Sequence, residues 1–287
     1  MKTRYAQSRR TLAVCADDFG LAPAISAGIA RLARAQRLAA VSCITNSAYW
    51  ETSAPLLAGL PPSVDLGLHA NFTEGRPLSP QLARIWPQLP PLPALVVRAH
   101  LGLLPRAALR AEAHAQLAAF RAATGKDPAY IDGHQHVHHL PLLRAIVLDL
   151  LESVQPRPAV RNTGRVLGPR FGLKRWLIEN TGGRALAREL SRRKLVHNPA
   201  LLGAYDFVDP DYRAQVQHWL TQLPNQGGLL FCHPGESSNG DPPDPINVAR
   251  QRELAYLGSD AFAQDLAAAN VTLGRVWQTA AACTRAR

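Results

Sequence analysis

Two adjacent carboxylates, Asp17 and Asp18, follow the apolar run TLAVCA, and a dense histidine run, DGHQHVHH, follows AYI. His69 ends VDLGLH, Asp132 and His134 fall in IDGH, Arg161 ends RPAVR, and His233 follows GLLFC. Neutral imidazole is the commonest metal ligand among side chains. One Asp and two His form a three-ligand set that leaves positions open for water and substrate. An ion held that way polarises a carbonyl and lowers the pKa of bound water. Hydrolysis of an amide also needs a base for the water and an acid for the departing amine. Asp17 and His233 are spare groups of the right type.

Each of these residues has a plainer use. Asp18 lies a few residues before an amphipathic run with Ile25, Ile29 and Leu32, where an Asp can cap a helix. His69 shares strand parity with Asp65 and Gly67, and a strand-end histidine can simply bond backbone. His134, His136 and His138 share one parity, so an extended chain sends them to one side, although a solvated His-rich loop would look the same. His100, His114, His197 and His218 are isolated and read as surface or core residues without function.

The elements that must position these groups alternate. Short apolar runs predict strands near 11–16, 39–45, 64–69, 129–133, 158–161, 228–232 and 271–275; helical patterns lie near 23–36, 51–59, 108–123, 141–154, 172–193, 209–223 and 248–269. This is an α/β pattern with a largely parallel sheet. About seven strands in one domain point to a closed or nearly closed barrel, with a doubly wound sheet as the rival. In either case the carboxyl ends of the strands form the active face. Five segments then deliver Asp, His, His, Arg and His to one rim. The Pro-rich stretch 87–96 reads as a surface loop.

The 287 residues, 47% hydrophobic and 18% charged, describe a globular chain that buries roughly three quarters of its unfolded surface. We treat residues 1–287 as a single domain. The formal charge is +11. Most of it sits in 161–194, where ten Lys and Arg face only Glu179 and Glu189. We therefore read 164–205 as a basic helical insertion between two core strands. Cys15, Cys43, Cys232 and Cys283 form no CxxC pair, which argues against a disulfide framework or thiolate zinc site and for a reduced, cytoplasmic setting. The apolar run after the basic start is too short for a signal peptide, and the most apolar window, LPLLRAIVLDLLESV, carries Arg144 and Asp149.

ADDFGLAPAISAGI, GLHANFTEGRPL, IDGHQHVH and CHPG, in this order, resemble the YdjC/ChbG-like carbohydrate deacetylases from about residue 11 to 275. The resemblance implies a distorted (β/α) barrel, metal dependence, usually on Mg²⁺, and removal of acetyl groups from N-acetylated sugars such as chitooligosaccharides. It implies Asp18, His69 and His134 as metal ligands, Asp17 as catalytic base, His233 as general acid and, more weakly, Arg161 as the basic residue beside the base. Ser26 stands where the family often has Asn. Histidine ligands suit Zn²⁺ better than Mg²⁺ on coordination preference.

The reading is thus a cytoplasmic metal-dependent deacetylase whose substrate is a chitooligosaccharide-like or lipid-linked glycan. Segment 164–205 would dock on an anionic surface at the inner membrane face or else pack as a solvated helical pair. A metal-dependent phosphoesterase or another amidohydrolase barrel is a second class, weakened because those barrels commonly carry HxH after the first strand. Nucleic-acid binding is a third, prompted by the pI of 10.2. It is weakened because the charge is bunched and aromatics make up only 6% of the chain. The oligomeric state is open, a homodimer being one option.

Overall fold

The computed structural model describes residues 9–238 and 240–277. Eight parallel strands form one sheet: β1 Arg10–Phe19, β2 Ala40–Cys43, β3 Asp65–Ala70, β4 Tyr130–Gly133, β5 Ala159–Val160, β6 Leu201–Leu202, β7 Gly228–Cys232 and β8 Val271–Leu273. The order is β5-β4-β3-β2-β1-β7-β6, with β8 pairing the first residues of β1. Between β5 and β6 only single bridges, Val160 to His197 and Val166 to Leu201, continue the pairing. The sheet is a curled α/β barrel surrounded by helices.

Parity along the strands sorts two cores. Leu12, Val14, Ala16, Leu230 and Cys232 pack in the larger cluster with the helices, whereas Ala13, Cys15, Leu229, Phe231 and Tyr130 form a smaller second cluster. Asp17 continues the second parity on β1 and His233 continues it beyond β7. Strands buried on both faces read as nearly unbroken apolar runs, which is why they were legible.

Three expectations change. Leu201–Leu202 is a sheet strand, so 164–205 is not wholly an insertion. The Pro-rich 87–96 stretch runs into the helix Leu92–His100, with Pro93 in its first turn, where a missing N–H costs nothing. The helical pattern at 172–193 is Gly172–Ile178 and Arg184–Arg192 joined by a π turn, Glu179–Gly183. Leu186 and Leu190 are buried as an amphipathic helix requires, but Leu173, Trp176 and Leu177 stay exposed. Cys283 lies outside the described residues.

Candidate metal and catalytic centre

A break in regularity opens the site. Pairing of β1 with β2 shifts between Ala16 and Phe19, and Asp18 adopts φ 69°, the left-handed region that a non-glycine residue enters at a cost. Regular alternation would send Asp17 and Asp18 to opposite faces; here both line one cleft of about 1160 Å³. Gly20 (φ 93°) completes the turn, since a Cβ there would meet the Ile44 carbonyl oxygen at 2.6 Å. Asp18 does not cap the following helix, Pro23–Arg34, whose N-cap is Ala22. Ser26 is absorbed at that helix start, accepting from Gly20 N at 2.9 Å and donating to Ala22 O at 2.9 Å.

The register of β3 with β4 sets His69 beside Asp132. Nδ1 of His69 lies 2.6 Å from Asp132 Oδ1, leaving Nε2 3.6 Å from Asp18 Oδ1. His134 Nδ1 is 2.9 Å from the same Asp18 oxygen, and its Nε2 is 3.0 Å from Glu74. Asp18, His69 and His134 each offer a donor atom within 4.8 Å of the others, and all three are buried. Donors about 2.0–2.2 Å from one ion stand roughly 3–3.6 Å apart, so this set has the spacing and chemistry for a divalent ion.

Four guanidinium–carboxylate contacts, two from Arg161 and two from Arg250, organise the surroundings. Arg161, completely buried, grips Asp17 with both terminal nitrogens, at 2.7 and 2.5 Å, and reaches Asp132 at 2.5 Å. Cys15, Asp17 and Asp132 also cluster closely, but the Arg161 guanidinium already fills that space. Arg250, which sequence reasoning missed, holds Asp18 Oδ2 at 2.8 Å and Asp244 at 2.6 Å. Glu253, one helical turn on, accepts from His233 N and the Tyr205 hydroxyl. The helix Asn247–Leu257 buries Arg250, Glu253, Leu254 and Leu257 on one stripe, and two charges in an apolar stripe are the signal that could have found them.

Electrostatics follow from these contacts. Burial works against the charge on Asp18, yet Arg250 and His134 hold it well below the ordinary carboxylate range. Burial likewise opposes charge on the two histidines, but Asp132 leads in raising His69 to about 10, and Asp18 leads in raising His134 to about 9. Burial lowers His233 to about 4, so it is a neutral imidazole at neutral pH. Burial lifts Glu253 to about 7.

The histidine run does not extend along one face. Residues 134–139 form a 3₁₀ turn, with Gln135 and His136 in left-handed conformations. Only His134 therefore reaches Asp18. The ring of His136 packs on Phe231 at 4.9 Å, His138 Nε2 lies 2.9 Å from Arg161 O, and His139 bridges Thr163 and Thr181. Asp17, Asp18, His134 and His233 line the cleft, while Arg161, His69 and Asp132 stand behind them.

The fold is a curled α/β barrel whose strand ends bring Asp18, His69 and His134 together. A family model described as YdjC-like protein matches residues 11–268, and the chain belongs to that family. It is 36% identical to a mouse carbohydrate deacetylase, over 54% of this chain and 53% of that one. It is 32% identical to a chitooligosaccharide deacetylase of Enterobacter sp. (strain 638), over 48% and 54%. The chain spans about half the length of the curated relatives it matches. A solved Enterococcus faecalis V583 structure, provisionally assigned to cellobiose-phosphate cleavage, shares the fold with a TM-score of 0.70 at 19% identity, covering 94% and 98%.

Proposed function

We propose that this protein is a divalent-metal-dependent deacetylase that hydrolyses the acetamide of an N-acetylated amino sugar. The observation carrying this reading is the convergence of Asp18, His69 and His134 at a cleft that Asp17, Asp18, His134 and His233 line. The relatives' names support the substrate class. Bound by Asp18, His69 and His134, the ion would supply carbonyl polarisation and a lowered water pKa. Two imidazoles favour Zn²⁺ on coordination preference, whereas the family resemblance favours Mg²⁺.

The chain's own residues account for the rest. Arg161 holds both oxygens of Asp17 and so fixes the carboxylate that accepts the proton of the attacking water. Asp132 fixes the tautomer of His69 and turns Nε2 toward Asp18. Arg250 engages Asp18 Oδ2 and leaves Oδ1 for the centre. His233 begins neutral and donates its N–H toward the substrate. Negative charge growing there raises its pKa, so His233 takes up a proton from solvent and, as imidazolium, passes it to the departing nitrogen. Asp17 returns the proton it took from water to solvent when acetate leaves, and both groups end the turnover as they began.

The setting we propose is cytoplasmic. Cys15, Cys43 and Cys232 are free and buried, and no helix of the described residues is long and apolar enough to cross a membrane. Association of 164–205 with an anionic membrane face is part of the proposal. Acetate release from a panel of N-acetylated sugars, with chelator and with defined metals, tests the reading. His69→Ala and His134→Ala should lose bound ion, measured by elemental analysis, together with turnover. Full turnover by chelated, metal-free protein would overturn it.

A further inference from the structure

The cleft changes character away from Asp17 and Asp18. On one wall it is lined by Leu92, Val96 and Val97, and on another by Leu177, Ile178 and Phe207. Val97 and Leu177 also reach solvent, 56% and 45% exposed, and Leu173 and Trp176 extend the apolar surface along the helix Gly172–Ile178. Apolar walls cannot satisfy sugar hydroxyls, and a hydroxyl buried against them without a partner costs free energy. Further sugar units of an oligosaccharide would therefore be poorly served between these two walls, whereas the polar lining, Ser237, Ser238, Asp241 and Asn247 among it, comes from a separate stretch of the chain. Lys174 and Arg175 on the same helix, with Arg170 just before it paired to Asp209 at 2.9 Å, place positive charge beside this apolar surface, the composition of a face that meets amphiphiles. Lys174 lines the cleft itself, its Nζ 4.2 Å from the Phe207 ring centre.

We propose that the substrate is amphiphilic: an N-acetylated amino sugar whose aliphatic aglycone lies between the Leu92–His100 helix and the Gly172–Ile178 helix. This rests on the deacetylase reading and specifies which end of the substrate fills the outer cleft. The sugar acetamide reaches Asp18 and His134, and the chain leaves through the lip formed by Val97 and Leu177.

The test uses alkyl 2-acetamido-2-deoxyglucosides from methyl to octyl, below their micelle concentrations, with N,N′-diacetylchitobiose as the uncharged oligosaccharide. Acetate release gives kcat/KM, and calorimetry gives binding of the octyl and methyl glycosides. We expect kcat/KM to rise about two- to fourfold per added methylene over part of the series, as partial burial of each methylene requires. That dependence should flatten in Val97→Asp/Leu177→Asp, two exposed positions where a carboxylate does not disturb the core. Turnover of the methyl glycoside and chitobiose with no dependence on chain length would overturn the aglycone site while leaving the deacetylase reading intact. Tighter binding of octyl than methyl glycoside with no acetate released from any sugar would instead remove the deacetylase reading and keep the apolar site. A homodimer dissociated by the double substitution, with chain-length dependence unchanged, would assign the lip to a second copy and overturn the proposal.

Discussion

At the rim of the barrel, the Arg161 and Arg250 side chains are 0% and 3% exposed and lie within 2.8 Å of carboxylates. In the basic segment, Arg184 and Arg192 meet Glu179 and Glu189 at similar distances, 3.0 and 2.7 Å, while 56% and 67% exposed. The contacts look alike, but their energetics differ. Exposed pairs lose most of their attraction to water and salt and contribute about 0–1 kcal/mol. In the rim, removing one partner strands a buried charge, which costs several kcal/mol. Charge at the rim holds the site carboxylates in place. Charge in 164–205 gives the surface its sign.

The sharpest way to probe this difference is Asp17→Asn. Arg161 keeps Asp132 and one oxygen acceptor at position 17, so the fold and the proposed ligands Asp18, His69 and His134 remain, yet the proposed base is gone. Turnover should fall by roughly 100- to 10,000-fold with bound metal unchanged. Near-normal turnover in a metal-loaded variant would move the base elsewhere.

Arg161→Met comes next, because it leaves Asp17 and Asp132 buried without their cation. Destabilisation of about 3–5 kcal/mol is expected in urea unfolding, against less than about 0.5 kcal/mol for Arg192→Met. Equal losses in the two variants would erase the distinction between the regions.

Glu253 refines the rim side. It is buried like Asp17 and Asp18 but makes no direct ion pair; burial raises it to about 7, above the ordinary 4.5. The folded chain therefore holds a proton that the unfolded chain releases between pH 4.5 and 7. The contribution is fully present below about pH 4.5 and is lost as pH rises through 7. Glu253→Gln keeps a neutral side chain in place, so it should gain on the wild type across that window, by on the order of 3 kcal/mol at pH 8. Parallel stability–pH curves for the two proteins would refute this.

The same contrast explains what the sequence could show. Seven strands were legible because each is an apolar run at a regular interval, and the residues at their carboxyl ends met as the sheet curled. Leu201–Leu202 was not legible, because two residues in a basic stretch carry no strand pattern. The histidine parity failed because Gln135 and His136 turn left-handed, which residue types alone did not indicate. Arg250 and Asp132 went unassigned because their partners, Asp18 and His69, lie 232 and 63 residues away, so only tertiary structure brings them together.

The smallest effect belongs to the basic segment and bears on whether its charge has a use. Arg192 and Arg193 share Glu189, and Leu186 and Leu190 face the core, so the helix Arg184–Arg192 presents a polar outer face. That arrangement alone needs no partner. If the segment also meets an anionic bilayer, each basic residue near it contributes about 1 kcal/mol before screening. Exposed pairing with Glu189 is too weak to withhold those charges from a surface of higher charge density. Co-sedimentation should then favour anionic over neutral vesicles. It should also weaken as salt rises and the Debye length falls from about 10 Å at 0.1 M toward 3 Å at 1 M. Neutralising Arg188, Arg192, Arg193 and Lys194 together should reduce sedimentation severalfold and leave turnover of a soluble N-acetylated sugar unchanged, since none of the four lines the cleft. Equal sedimentation with both vesicle types would reduce the segment to a solvated helix packed on the barrel. Its charges would then serve solubility alone.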